Sequence, residues 1–383
     1  MPTNDLLVIG AGVVGAACAY HAAKAGLSVT VVDRGAVAGG TTGAGEGNLL
    51  VSDKEPGAEL DLALLSVRLW RDLAADLGED VEYEAKGGLV VAAGATDLAA
   101  LTELAEHQRV AGVESRVVPP GELPELEPHL ARGLAGGVFY PQDAQVQPML
   151  AAAHLLRAAR ERFGAQVRTG VTVTGIRRSG GRIIGVRTDK GDIATGTVIN
   201  AAGTWSGEVA ALAGVTVPVL PRRGFILVTE PLPPLIRHKV YAAEYVANVA
   251  SDSAGLETSP VVEGTKAGTV LIGASRERVG FDRTLSLPAL RLLARQAIAL
   301  FPMLAEVAAI RAYCGFRPYC PDHLPVIGPD PRLEGLLHAC GHEGAGIGLA
   351  AATGHLLAQA VTGAAPDLDL TPFRPDRFAE VPR

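Results

Sequence analysis

The stretch LLVIGAGVVGAACAYHAAKAGLSVTVVD, residues 6 to 33, constrains the fold more than any other part of the chain. Leu6 to Ile9 is a short apolar run with strand character. Gly10, Gly12 and Gly15 follow in GxGxxG spacing, Val13 and Val14 open an alanine-rich helical segment, and a second apolar strand from Ser28 to Val32 ends at Asp33. Gly10 permits a tight turn, Gly12 lets the backbone approach a pyrophosphate, and Gly15 lets helix pack on strand. The helix N-terminus offers free N–H groups and a positive dipole end to the phosphates. Asp33, with Arg34 beside it, stands where an acid takes ribose hydroxyls. A lone GxGxxG says little. Strand, helix, strand and acid in this order imply a Rossmann-like unit and a bound dinucleotide, without choosing between NAD and FAD.

At 383 residues the chain exceeds what one core comfortably fills, so two domains are expected. With 48% hydrophobic and 20% charged residues it has a globular composition, and a net charge of -7 leaves no basic footprint for nucleic acid. Four cysteines without a CxxC pair do not form a disulfide framework, which points to a reducing, cytoplasmic setting. No segment reads as a membrane span, and the apolar run from Leu6 lacks the basic start of a signal peptide.

Beyond Asp33 the pattern is not a simple alternation of strand and helix. GGTTGAGEGNLL, residues 39 to 50, is a long glycine-rich loop. Helices are expected from Ala58 to Leu77 and Gln147 to Phe163, with short strands and proline-rich turns between. Residues 171 to 203 alternate as a three-stranded meander that returns to a buried strand, Thr197 to Ala201. Residues 217 to 275 read as long antiparallel strands, followed by a helix near Pro288 to Leu300. The expected fold is α/β: a Rossmann-like dinucleotide domain (1–80, 145–215, 321–383) interleaved with a substrate domain on a large antiparallel sheet (81–144, 216–320).

Three further stretches carry a resemblance: VINAAGTWS (198–206), CGFRPYCPDHLPVIG (314–328) and HACGHEGAGIGLAAATG (338–354). With the N-terminal loop they resemble the D-amino-acid oxidase family of flavoenzymes, in its glycine oxidase and sarcosine oxidase branch, along nearly the whole chain. GEGNLLVSDK and GASRERVGFD look most similar to flavoprotein subunits of hydrogen cyanide synthase, opine oxidases and D-hydroxyproline dehydrogenase. The resemblance implies FAD, held beneath the antiparallel sheet. By matching position, Thr41, Thr42, Gly45, Glu46, Gly47, Asn48 and Leu49 would line the pyrophosphate and flavin. Val173 would meet the adenine end, Ala201, Ala202, Gly203 and Trp205 would wall the cofactor, and Gly315 would lie beside it.

The C-terminal loop, Gly341, His342, Glu343, Gly344, Ala345 and Gly346, leads into a buried helix beginning near Ile347. Its N-terminus would face the pyrimidine edge of the flavin, where reduction places negative charge. Arg317 in GFRP matches the arginine that binds substrate carboxylate in glycine oxidase, a task for a bidentate guanidinium. His342 and Glu343 are candidates to touch ring or substrate. Tyr241 and Tyr245, on an expected sheet strand, would roof the substrate or fill the core. Cys314 matches the cysteine that carries covalent flavin in monomeric sarcosine oxidase; a small buried cysteine and noncovalent FAD are expected here. Gly348 stands where sarcosine oxidase has a substrate-binding lysine. His338, Cys340 and His342 are metal-ligand types, but they cross from strand to loop, and no metal is expected.

These readings lead to an FAD-dependent oxidation of the C–N bond of a small amino or imino acid. The resemblance favours a flavoprotein subunit of a multi-component dehydrogenase. A partner subunit would carry any iron–sulfur cluster or further flavin, since this chain has no iron–sulfur motif. A self-sufficient oxidase and a non-catalytic flavin-binding subunit are the alternatives.

Overall fold

The strands Leu6–Ile9 and Val29–Asp33 lie parallel, with Leu6 opposite Val29 and Ile9 opposite Val32. A computed structural model describes residues 4–249 and 251–378; the expected segments at residues 1–3, 250 and 379–383 lie outside the described residues. A six-stranded sheet grows around this pair in the order Val326–Pro329, Leu336–Cys340, Val198–Asn200, Leu6–Ile9, Val29–Asp33, Gln166–Thr169. Its pairings are parallel except between Val326–Pro329 and Leu336–Cys340.

Because side chains alternate along a strand, Leu6–Ile9 serves two cores. Leu6 and Val8 pack with the helices Val13–Lys24, Pro148–Phe163 and Gly346–Thr362. Leu7 and Ile9 pack beneath a three-stranded antiparallel sheet, Val173–Ser179, Arg182–Thr188 and Gly191–Ala194. That sheet is the meander read from the sequence. The helices Val13–Lys24 and Gly346–Thr362 cross almost backbone to backbone, since a Cβ on Gly354 would lie 2.5 Å from the carbonyl carbon of Ala17. The helical segment Glu343–Thr362 is long and apolar enough to cross a membrane (mean hydropathy 1.2), yet 61% of it is buried as the core helix of this fold.

The second large sheet has eight strands in the order Ala309–Tyr319, Leu220–Thr229, Val270–Arg276, Glu257–Gly264, Lys239–Ala242, Gly88–Ala92, Gly136–Tyr140, Arg116–Val118. Alternation again divides its faces. Phe225, Leu227 and Ile272 pack under the helix Leu287–Leu300, whose N-cap Ser286 accepts a hydrogen bond from Ala289 N–H. Gly224 and Ile226, one residue out of step, face a cavity on the opposite side.

Three features differ from the sequence reading. The sheet expected to be antiparallel is mixed, because Lys239–Ala242 pairs with Gly88–Ala92 in parallel. A 16-residue helix, Ala95–Val110, interrupts the region expected to hold only short strands. Its inward face includes a polar residue, Gln108, whose amide donates to the carbonyls of Val51, Ser52 and Lys54, so its apolar stripe is weak. The strand carrying Tyr241 ends at Ala242, and Tyr245 lies on a short helix, Ala243–Val249. The two tyrosines therefore do not share the strand expected for them.

Candidate active site

A cavity of about 600 Å³ runs from the Gly10 turn to the loop before the helix Gly346–Thr362. That lies within the range of cofactor sites. At its first end the backbone of Gly10 is left-handed (φ 118), and a Cβ there would sit 2.3 Å from Ala201 O. A Cβ on Gly15 would lie 2.0 Å from Gly10 O, so Gly15 serves the helix-to-turn contact and stands back from the cavity. Gly12 caps a helix with no side-chain cap and no acid in its first turn, leaving a positive end toward the cavity beside Val13 and Val14.

Asp33 holds this turn in shape. Its Oδ2 accepts from Ala11 N–H (2.8 Å) and its Oδ1 from Gly35 N–H (2.7 Å), while the residue lines the cavity. The Arg34 guanidinium lies 4.1 Å from the Trp205 ring centre, and Phe281 stacks on Trp205 at 5.3 Å. Ala201, Ala202, Gly203 and Val173 complete that end.

The glycine-rich loop joins the two sheets at mid-cavity. Thr41 Oγ donates to Phe316 O (2.6 Å), and Thr42 Oγ accepts from Val13 N–H (3.1 Å). Gly45, Glu46 and Asn48 line the cavity. Gly47 and Leu49 do not: a Cβ on Gly47 would lie 1.8 Å from Val146 O, and Leu49 is fully buried in the core. Gly315 faces this loop so closely that a Cβ would lie 2.7 Å from that of Ala44.

At the far end, His342, Glu343, Gly344, Gly346 and Ile347 line the wall, while Gly341 packs on Cys320 and Val326 and Ala345 on the core. The His342 imidazole turns away, pairing Nε2 with Thr353 Oγ at 3.0 Å. Burial pushes it down to about 3, so it is a neutral ring that orders the loop. Glu343 accepts from His323 Nδ1 (2.9 Å) and Arg222 Nη1 (3.5 Å). His323 and Glu343 both hold left-handed backbone, φ 59 and φ 47, which costs on the order of 1–3 kcal/mol each and requires such anchoring. Hydrogen bonding to Glu343 holds His323 above its ordinary value.

Arg317 projects into this end from the strand Ala309–Tyr319. Its Nη1 donates to Ser275 O at 2.7 Å, and burial lowers its pKa. Tyr245 shares the wall, whereas Tyr241 is fully buried behind it, bonded to Ser52 Oγ, which in turn bonds the Asp143 carboxyl. The two rings meet edge to face at 5.2 Å. Cys314 lies on the helix side of its strand, with Sγ 3.7 Å from Arg283 O. His338 bonds Asn200 and Asp330, not His342, and no group of three or more potential metal-ligating side chains occurs among the described residues.

Sequence reasoning missed a charge cluster behind Arg317. Lys239, fully buried, pairs with Glu263; Glu46 approaches both Lys239 and Arg317; Arg276 stacks 5.3 Å from the Tyr245 ring; Arg222 joins Glu257 to Glu343. These residues lie on different strands and loops, and only folding brings them together. A long cavity with a glycine turn and helix N-terminus at one end, and a half-buried guanidinium at the other, fits an FAD molecule with a small anionic ligand beside its ring.

Residues 5–360 match the family described as FAD dependent oxidoreductase (DAO). The chain is 33% identical over 430 residues to hydrogen cyanide synthase subunit HcnC of Pseudomonas aeruginosa, covering 99% of this chain and 97% of that one. It is 32% identical to a glycine oxidase of the same species, covering 97% and 99%. The solved glycine oxidase of Geobacillus kaustophilus superposes with a TM-score of 0.89 at 28% identity, over 98% of this chain and 99% of that one. With most of its length matched in sequence and its fold shared, the chain belongs to the DAO family of FAD-dependent oxidoreductases.

Proposed function

We propose that the chain oxidises the C–N bond of a small α-amino or imino acid to the imine. The observation that carries this reading is Arg317, a half-buried guanidinium in the cavity wall with one donor anchored on Ser275 O. Such a group has five donors, which leaves a fork for a carboxylate. When bound, FAD supplies a two-electron acceptor for the hydrogen lost from the α-carbon.

In this reading Gly10, Gly12 and the helix end at Val13 hold the pyrophosphate, and Asp33 meets the ribose beyond its own hydrogen bonds. Thr41, Thr42 and Gly45 flank the ring. Gly344, Gly346 and the helix behind them set its electrostatics. Arg317 orients the substrate, Tyr245 packs on it, and His342 positions the loop. FAD is held noncovalently, in keeping with a Cys314 thiol turned to the far face. The interleaved domains 1–80, 145–215 and 321–383 hold the cofactor; 81–144 and 216–320 hold the substrate.

Similarity to a protein named as a synthase subunit favours a chain that hands its electrons to a partner subunit. Similarity to a glycine oxidase favours direct use of oxygen instead. One experiment addresses both. The purified holoprotein is mixed anaerobically with glycine, sarcosine, D- and L-proline, D-hydroxyproline and opines while the visible flavin band is followed, and air is then admitted. One compound is expected to bleach the band, with slow recovery in air for a dehydrogenase subunit and fast recovery for an oxidase. Bound flavin that none of them bleaches would count against the amino-acid reading.

A further inference from the structure

Glu46 is a carboxylate in an unusual position. It lines the cavity yet is only 8% exposed, and its Oε1 has no hydrogen-bond partner. Its other oxygen has one long contact, from Asn48 Nδ2 at 3.5 Å. A buried carboxylate oxygen left without a donor is costly, on the order of several kcal/mol, unless a ligand supplies one.

The neighbours indicate what that ligand is. Lys239, an ammonium whose charge favours the Glu46 carboxylate, pairs with Glu263, which also accepts from Gly47 N–H at 3.3 Å. Glu46 and Arg317 remain as an opposed pair on the cavity wall. Their ends rest against the same strand: Oε1 lies 2.7 Å from where a Gly273 Cβ would stand, and Arg317 Nη1 bonds Ser275 O two residues on. An anionic acceptor and a cationic fork along one strand match a zwitterion, which carries its nitrogen and its carboxylate on one carbon.

We infer that Glu46 receives the substrate nitrogen: it accepts the ammonium hydrogen bond when the substrate binds and takes its proton before oxidation. The inference rests on the amino-acid reading above. In that step one N–H bond of the ammonium breaks, the proton passes to Glu46 Oε1, and the nitrogen keeps the electron pair it needs to form the C=N bond. The proton returns to solvent when product leaves.

The groups facing Glu46 are Lys239, Arg276 and Arg317, which favour its charge, and Glu263, Tyr245 and Tyr313 nearby, which do not. Burial, outweighing those cations, holds its carboxyl above the usual range.

The test uses two probes that lack an oxidisable α-hydrogen as an amine: 2-aminoisobutyrate, and isobutyrate as its amine-free match. Binding to the holoprotein is read from perturbation of the flavin spectrum and from calorimetry. Wild type is expected to prefer 2-aminoisobutyrate, and Glu46→Gln to lose at least about tenfold of that preference while retaining isobutyrate. A second measurement needs only wild type. As pH falls through the Glu46 carboxyl, 2-aminoisobutyrate, whose own carboxyl stays ionised, should bind more weakly, and its advantage over isobutyrate, counted per ionised probe, should shrink. An unchanged preference in Glu46→Gln, or parallel pH profiles for the two probes, overturns the role of Glu46. Wild type binding neither probe overturns the amino-acid reading itself, and this role with it.

Discussion

Gly224 offers a way to move Arg317 without removing its charge. It sits opposite Gly315 in the long pairing of Leu220–Thr229 with Ala309–Tyr319, and its φ is not left-handed, so alanine carries no backbone penalty there. A methyl group would lie 2.2 Å from Arg317 Nη1 and 2.5 Å from Ser275 O. The 2.7 Å hydrogen bond between those two atoms occupies the space the methyl needs. The guanidinium can swing, but the carbonyl belongs to a paired strand and cannot move freely. Gly224→Ala should therefore cost about 1–3 kcal/mol of stability through overpacking. It should also displace the fork. Loss of a charge-assisted contact of about 1.5–3 kcal/mol corresponds to roughly 10- to 150-fold weaker binding of a carboxylate. Gly121→Ala is the control, because a Cβ there meets nothing within 4 Å; its stability should stay within about 0.5 kcal/mol of wild type. The assay is isobutyrate affinity on the flavin band, beside thermal melts of the three proteins. Equal isobutyrate affinity in wild type and Gly224→Ala would show that carboxylates are not held by Arg317 as placed here.

Gly15→Ala puts a methyl 2.0 Å from Gly10 O, so helix and turn must part; the purified variant should carry much less flavin per chain than wild type. Full flavin content would refute the packing argument for the GxGxxG turn. His323 is raised above its ordinary value by its bonds to Glu343 and Asp252, so its contribution is fully present below about pH 6.5 and is lost as pH rises through the folded value. The melting-temperature gap between wild type and His323→Gln should thus be widest in mild acid and close at alkaline pH; a gap that widens with pH contradicts this. Cys314→Ser should leave flavin content unchanged, and acid precipitation should release the flavin from wild type into the supernatant. Colour staying with the wild-type pellet would indicate a covalent link.

The legibility of this fold follows the range of the interactions that build it. The dinucleotide unit was readable because its glycine spacing is local, even though Gly10 presses on Ala201 and Gly12 on Thr42, and alternation in residues 173–194 reports a meander whose partners are adjacent in sequence. The helix Ala95–Val110 was missed because its inward face relies on Gln108 and its hydrogen bonds as well as on an apolar stripe. Tyr245 was misplaced because a four-residue strand gives no sign of where it ends.

The same distinction divides the site. Gly10 and Gly12 follow from glycine spacing, while Thr42, Ala201 and Gly346 could be named through the family resemblance carried by their motifs, and all five line the cavity. The charges that would choose a substrate come from loop 39–50 and from strands at 220, 239, 257, 270 and 309, and no local pattern marks Lys239 as the partner of Glu263 rather than of Glu46. That pairing is what leaves Glu46 open. In a loop that sequence reads as glycine-rich and flavin-facing, the one acidic residue gains its chemistry from a lysine committed elsewhere. On this reading, substrate choice here rests less on the motif residues than on which buried charges are already satisfied when the ligand arrives.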